Sequence, residues 1–304
     1  PNPVNLALIE KYKFENVIYY CLDKLAQGYN DAFKIKSYER IIIKNSDLNF
    51  YTSRKLLKKN FIKDKSFYLP SGVNIKNFNL NQKQNKSGNK SKIIGYIGAV
   101  SEVFDQKLLI DIAKKFKDFE FHIIGPVLTD VSNLEEIKKI KFFGQVEHHQ
   151  LKNYMKKFDL GIIPYKRNIY TESVYPCKLN EYLAMGIPVV STDLNEIKNI
   201  SFQNKKIFSV AKNNLSFIKK IVTEIKSDSE KKRIFRKKFA SSNSWESRFS
   251  FFENKIKEVN NKKIFANYKS PQWNDQFIDE YNKKLNKIIK FLSSVVIIFI
   301  LFFN

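Results

Sequence analysis

Between residues 171 and 192 the chain reads Thr-Glu-Ser-Val-Tyr-Pro-Cys-Lys-Leu-Asn-Glu-Tyr-Leu-Ala-Met-Gly-Ile-Pro-Val-Val-Ser-Thr, a stretch with the side chains and spacing to handle an anion. Lys178 and Glu181 are three residues apart, so on a helix they lie almost one turn apart on the same face. Pro176 stands just ahead of them, and proline suits the first turn of a helix. A cation, backbone N–H groups at the positive end of the helix dipole and a carboxylate one turn deeper would suit a diphosphate joined to a ribose. The carboxylate would accept hydrogen bonds from the ribose hydroxyls. On types and spacing alone, Lys178 and Glu181 read equally well as a surface pair worth roughly a few tenths of a kcal/mol.

Such a loop works only if a rigid element aims it. Residues 160–164 read as a core strand running into it, and in open α/β sheets ligands bind at the carboxyl ends of the strands. The flanking sequence supplies that sheet. Strands are expected at 93–99, 119–125, 140–144, 160–164 and 188–192, with 206–210 closing the sheet. Helices are expected at 106–116, 150–158 and 178–185. This is a complete doubly wound domain, set at 93–227. Upstream, strands at 16–22, 47–52 and 66–69 alternate with helical spacing at 33–44 and a helix from Arg54 that Ser53 would cap. Residues 1–78 thus form a partial α/β domain. Residues 79–92, polar with almost nothing to bury, form the linker. A basic helical segment is expected at 228–262 and a basic and apolar tail at 263–304.

The chain has 304 residues, 43% of them hydrophobic and 14% aromatic, which is a globular composition. Cys21 and Cys177 are its two cysteines; two thiols make no disulfide scaffold, and reduced cysteines in a cytoplasmic compartment are expected. His122, His148 and His149 have no metal-ligand spacing with either cysteine, so no metal site is expected. A net charge of +24 invites anionic partners. The lysines are scattered rather than striped, however, and neither an aromatic-interleaved basic motif nor a recognition helix is present, which argues against nucleic acid. Residues 291–303 are almost wholly apolar but shorter than the roughly 20 residues of a spanning helix. Lysines 283, 284, 287 and 290 precede them as a cytoplasmic flank would. Contact with the inner face of the cytoplasmic membrane is the expectation for this tail.

The block Lys178-Leu-Asn-Glu-Tyr-Leu-Ala-Met-Gly-Ile-Pro-Val-Val resembles the donor-site signature of the group-1 bacterial glycosyltransferases. The branch with Ser-Val-x-Pro-x-Lys ahead of the glutamate, of exopolysaccharide and teichuronic-acid type, is the most similar. Weaker likenesses follow in order at 93–105, 121–126, 141–145, 159–165 and 244–246, and upstream at 19–23, 46–53 and 70–78. The resemblance implies a GT-B fold whose N-terminal domain lacks its first part, the chain beginning at Pro1 as a fragment would. It implies transfer of a sugar from a UDP- or GDP-linked donor to a glycan or lipid-linked acceptor in surface polysaccharide synthesis, with no cofactor or bound metal.

By that resemblance, Glu181 holds the donor ribose, and Lys178 with the amides of Ser173, Val174 and Tyr175 holds the pyrophosphate. Gly98, Glu102 and Asp105 belong to the first donor loop. Gly72, in an interdomain turn, would let backbone pass close to the donor. Asp23, ending a strand at the presumed cleft, is the candidate base for the acceptor hydroxyl; a capping aspartate is the competing reading. The sequence departs from the family pattern in two places. Gly98 is followed by Ala99, and Phe104-Asp105 stands where Lys-Gly is usual. Ser173 takes the place of a second glutamate, with Glu172 displaced by one. The phosphate cation must then be Lys178, Lys166 or Arg167. The alternative reading is a catalytically degenerate nucleotide-sugar-binding module.

Overall fold

A computed structural model describes residues 9, 11–12, 14–23, 32–78, 91–203 and 207–267. The expected linker, but for residues 91 and 92, and the apolar tail at 288–303 lie outside the described residues.

The first sheet is built from β1 (Ile18–Cys21), α1 (Ala32–Asn45), β2 (Leu48–Tyr51), α2 (Arg54–Lys59) and β3 (Ser66–Tyr68), followed by the short α3 (Ile75–Phe78). Its three strands run parallel in the order β1-β2-β3. Ser53 caps α2 as its position suggests, its Oγ accepting from Leu56 N at 3.2 Å. Tyr19, Cys21, Ile42, Ile43, Tyr51 and Leu56 form a small core between strands and helices.

The second sheet takes β4 (Ile93–Ile97), α4 (Gln106–Lys115), β5 (Glu120–Ile124), α5 (Ser132–Glu135), β6 (Ile140–Phe142), a 3₁₀ turn (His148–Gln150) leading into α6 (Leu151–Met155), and β7 (Leu160–Ile163). It continues through α7 (Lys178–Ala184), β8 (Val189–Thr192), α8 (Asn195–Gln203), β9 (Ser209–Ala211), α9 (Asn214–Lys226), α10 (Glu230–Ser242) and α11 (Trp245–Asn267). The strands are parallel in the order β6-β5-β4-β7-β8-β9. Side chains alternate between two cores, as the two-residue period of a strand requires. Ile97, Ile124, Ile163 and Val189 enter one core, and Tyr96, Ile123, Ile162 and Val190 the other. Covering both faces explains why these strands read as continuous apolar runs.

The chain builds outward from β4 to β6, then returns to lay β7 on the opposite flank of β4. The loops leaving the carboxyl ends of β4 and β7 therefore part in opposite directions, and the crevice between them is where open α/β sheets take ligands.

The single basic helix expected at 228–262 is two helices. Helix α10 turns its buried stripe toward α7: Arg236, 0% exposed, donates from Nε to Gly186 O at 2.8 Å and from Nη2 to Asp228. The chain then breaks at Asn243, whose carbonyl accepts from Val73 N at 3.1 Å, while Trp245 N donates to Val73 O at 3.2 Å. From there the part of α11 up to Lys255 lies along the first sheet, with Phe252 against Phe50 at 4.9 Å and Phe251 against Phe67 at 6.2 Å between ring centroids. Two different surfaces need covering, so one straight helix could not do both.

Candidate active site

Gly98 ends β4 with φ +120°, a conformation open to glycine at little cost. A Cβ there would stand 3.1 Å from Lys178 Cε and 3.2 Å from Nζ, so the bare glycine leaves the end of the lysine chain room close to the β4 backbone. The Lys178 ammonium donates to the Tyr165 hydroxyl and lies over the rings of Tyr165 and Tyr96, 4.4 and 5.1 Å from their centroids. Tyr96 is held in turn by the Ala99 carbonyl at 2.8 Å. The cation expected from the spacing is therefore fixed between the β4 and β7 loops by two aromatic faces.

The loop after β7 is fastened by Thr171, which is buried. Its N–H donates to Asn168 Oδ1 at 2.8 Å, and its hydroxyl donates to Lys166 O at 2.7 Å and accepts from Asn168 N at 3.0 Å. Ser173 and Tyr175 are buried, the Ser173 hydroxyl without a hydrogen-bond partner among the described residues. The Tyr175 hydroxyl accepts from Asn180 Nδ2 at 2.8 Å, so its side chain packs while its backbone stays in the loop beside Val174. The two loops are tied together by Asp105 N to Pro164 O at 2.7 Å and Lys166 N to Val103 O at 2.8 Å.

Glu181, on the first turn of α7, is paired with a residue that the sequence reading left unassigned. Its Oε1 lies 2.9 Å from His148 Nε2, and the His148 ring stands edge-on to Phe78, centroids 5.3 Å apart. The hydrogen bond to the Glu181 carboxylate raises the His148 pKa above its ordinary value, against a smaller downward pull from burial. The pair joins positions 33 residues apart, so no local pattern could reveal it.

Asp23 faces this crevice from the first sheet. Burial pushes its carboxyl up to about 6, and a hydrogen bond from the Tyr170 hydroxyl pulls the other way. The Cys177 thiol, just before Lys178, is exposed at its surface yet surrounded closely enough by protein to be partly desolvated. That crowding raises its pKa, with the nearby Glu181 and Asp23 charges adding to the rise. Asp23, Tyr170, Cys177, Lys178 and Glu181 thus share one region.

Other candidates are placed differently. The Asp105 carboxylate accepts from Leu108 N at 3.0 Å and caps α4, which occupies it structurally. At Gly72 a Cβ would stand 2.7 Å from Trp245 N, so its bareness admits the start of α11. Arg167 reaches toward Asp193 at 3.9 Å on the exposed side of its loop. Glu102 is exposed. Glu172 pairs with Lys55 of α2. Among the described residues no group of three His, Cys, Asp or Glu side chains is gathered closely enough to hold a metal ion, and no helix is long and apolar enough to cross a membrane.

Residues 91–227 match the family described as glycosyl transferases group 1. TuaH of Bacillus subtilis, named as a glycosyltransferase of teichuronic acid biosynthesis, is 30% identical over 205 residues, 60% of this chain and 52% of TuaH. The chain thus spans about half the length of that relative. Among solved structures, sucrose-phosphate synthase from Thermosynechococcus elongatus superposes with a TM-score of 0.66 at 14% identity, covering 87% of this chain and 71% of the synthase. The Anabaena protein HepE, solved in complex with UDP, gives 0.63 at 13% identity, with 79% and 72% covered.

Proposed function

We propose that the chain, whose residues 91–227 match the group 1 glycosyl transferases and whose fold superposes on sucrose-phosphate synthase, transfers a sugar from a nucleotide-sugar to a glycan or lipid-linked acceptor of surface polysaccharide synthesis. The observation that carries this reading is the convergence of Lys178, held under Gly98, with Glu181 at the β4–β7 switch point. Residues 93–227 are the donor-binding domain and residues 1–78 contribute the acceptor side. Lys178 and the backbone of residues 173–175 hold the diphosphate, and Glu181 holds the ribose. Lys166 and Arg167 lie on the same loop. Asp105 leaves the donor set because its carboxylate caps α4.

In the reaction the acceptor oxygen bonds to the anomeric carbon, the bond to the phosphate oxygen breaks, and the nucleoside diphosphate leaves with the electron pair. Asp23 takes the acceptor proton; a carboxyl titrating at about 6 is ionised at neutral pH yet basic enough to do so. Fixed cations and dipoles stabilise the leaving diphosphate because they need no reorganisation as charge develops. The basic tail rests on the inner membrane surface, where a lipid-linked acceptor would be met.

Calorimetric titration with UDP, GDP and their common sugars tests the donor site. The wild-type chain is expected to bind in the micromolar range and the Lys178→Ala, Glu181→Ala double variant to lose that binding. A folded wild-type chain that binds none of them would overturn the assignment.

A further inference from the structure

Glu181 carries its charge beside a histidine rather than alone, and the arrangement is built from three directions. His148 sits in the turn after β6, Glu181 on the first turn of α7, and Phe78, 0% exposed, at the end of α3. The Phe78 ring meets the imidazole at an interplanar angle of 90°, which fixes the plane in which Nε2 can reach the carboxylate. The contact engages Oε1 of Glu181; Oε2 has no hydrogen-bond partner among the described residues. The His148 side chain is 55% and the Glu181 side chain 17% exposed, so the contact favours one placement of the carboxylate and leaves its second oxygen available to a ligand.

We infer that His148 is the positioning residue for Glu181, holding one carboxylate oxygen so that the other meets the donor ribose, and that its protonation strengthens donor binding. The inference rests on the donor-site reading above. Glu181 is the charged group that acts on His148. Glu147 and His149 flank it in the chain, and Cys177 and Lys178 stand one turn before Glu181 on α7. From α3 the facing group is the uncharged Phe78 ring. Protonated, His148 makes a charge-assisted hydrogen bond and adds a positive charge near the diphosphate. As pH rises through its elevated pKa that charge is lost, and affinity falls with it.

The test is the Kd of UDP-glucose, or of GDP-mannose if the guanine base is selected, measured by calorimetry from about pH 5.5 to about pH 8.5. A nucleotide-sugar diphosphate has no proton of its own titrating there. Asp23 does, so the profile is measured in Asp23→Asn. His148→Phe, which keeps a ring against Phe78, is expected to weaken binding roughly tenfold at pH 6.5, and His148→Gln, which keeps an N–H donor, only about twofold. The loss of affinity with rising pH is expected in Asp23→Asn and absent from Asp23→Asn, His148→Gln. Wild-type affinity in His148→Phe, or a pH limb that persists without His148, overturns the inference while leaving the donor site intact. Wild-type affinity in Glu181→Ala would instead remove the donor-site reading, and this inference with it.

Discussion

A carboxylate whose pKa is raised by desolvation is costly to the fold whenever it is ionised, and the half-buried Asp23 is such a group. Folding binds its proton more tightly than the unfolded chain does, where the aspartate pKa is about 3.9. Its contribution to stability therefore improves as pH falls from about 6 toward about 4, and the full penalty stands above about 6. Activity runs the opposite way, since the base must be ionised. Asp23→Asn should lower kcat by roughly a hundredfold or more, while its thermal midpoint at pH 7.5 equals or exceeds that of the wild type. In the wild type, kcat should fall as pH drops below about 6. A variant that kept its turnover would remove Asp23 from the reaction. Which residues were visible beforehand follows from range. Lys178 and Glu181 stood out through the family resemblance of their block, their three-residue spacing alone fitting a surface pair equally well, whereas His148 meets Glu181 only through the fold. Gly72 was visible as a special position, but the Trp245 backbone that needs it lies far away in sequence.

At the scale of elements, α2 is held at its N-terminus by a carboxylate from the other sheet. Glu196, on the first turn of α8 and 1% exposed, accepts from Arg54 N at 2.6 Å and from the Tyr68 hydroxyl at 3.1 Å, with Arg54 Nη1 at 3.4 Å. Burial raises its pKa and these partners offset the rise. Removing the acceptor leaves half-buried donors unmet, so Glu196→Ala should cost about 1–2 kcal/mol in urea denaturation, and Glu196→Gln, which still accepts, well under half of that. Phe50, 0% exposed between Phe67 and Phe252, is the anchor of α11 on the first sheet. Phe50→Ala should cost about 3–4 kcal/mol by the same measurement. The apolar strands were legible because both sheet faces are covered. Helices α8 and α9 were not read, although α9 begins with a capping box in which Asn213 and Ser216 exchange hydrogen bonds with each other's backbone. Its apolar residues Phe217, Ile218, Ile221 and Ile225 also keep helical spacing, so both signals stood in the sequence and went unread. The break at Asn243 carries no glycine or proline to mark it; it exists because α10 and α11 serve different surfaces.

For the whole molecule, the +24 charge acts on any diphosphate ligand at long range. Most lysines among the described residues are exposed, so the attraction is screened beyond roughly 10 Å at 0.1 M salt. Donor affinity should weaken roughly five- to tenfold between about 50 mM and about 500 mM KCl, chiefly through slower association in stopped-flow measurements. A salt-insensitive on-rate would mean that local contacts alone draw the ligand in. The junction of Val73 with Asn243, Ser244 and Trp245 has a temporal meaning as well. Strand β3 and the turn after it leave the ribosome about 170 residues ahead of the segment that closes over them. At roughly 5–20 residues per second, that is an interval of roughly 10–35 s. Through that interval Phe50 and Phe67 stand on a newborn three-stranded sheet whose cover has not been made. The larger sheet is synthesised meanwhile, so the first sheet, although translated before the second, is finished after it, and its exposed aromatic face is where a chaperone would be needed.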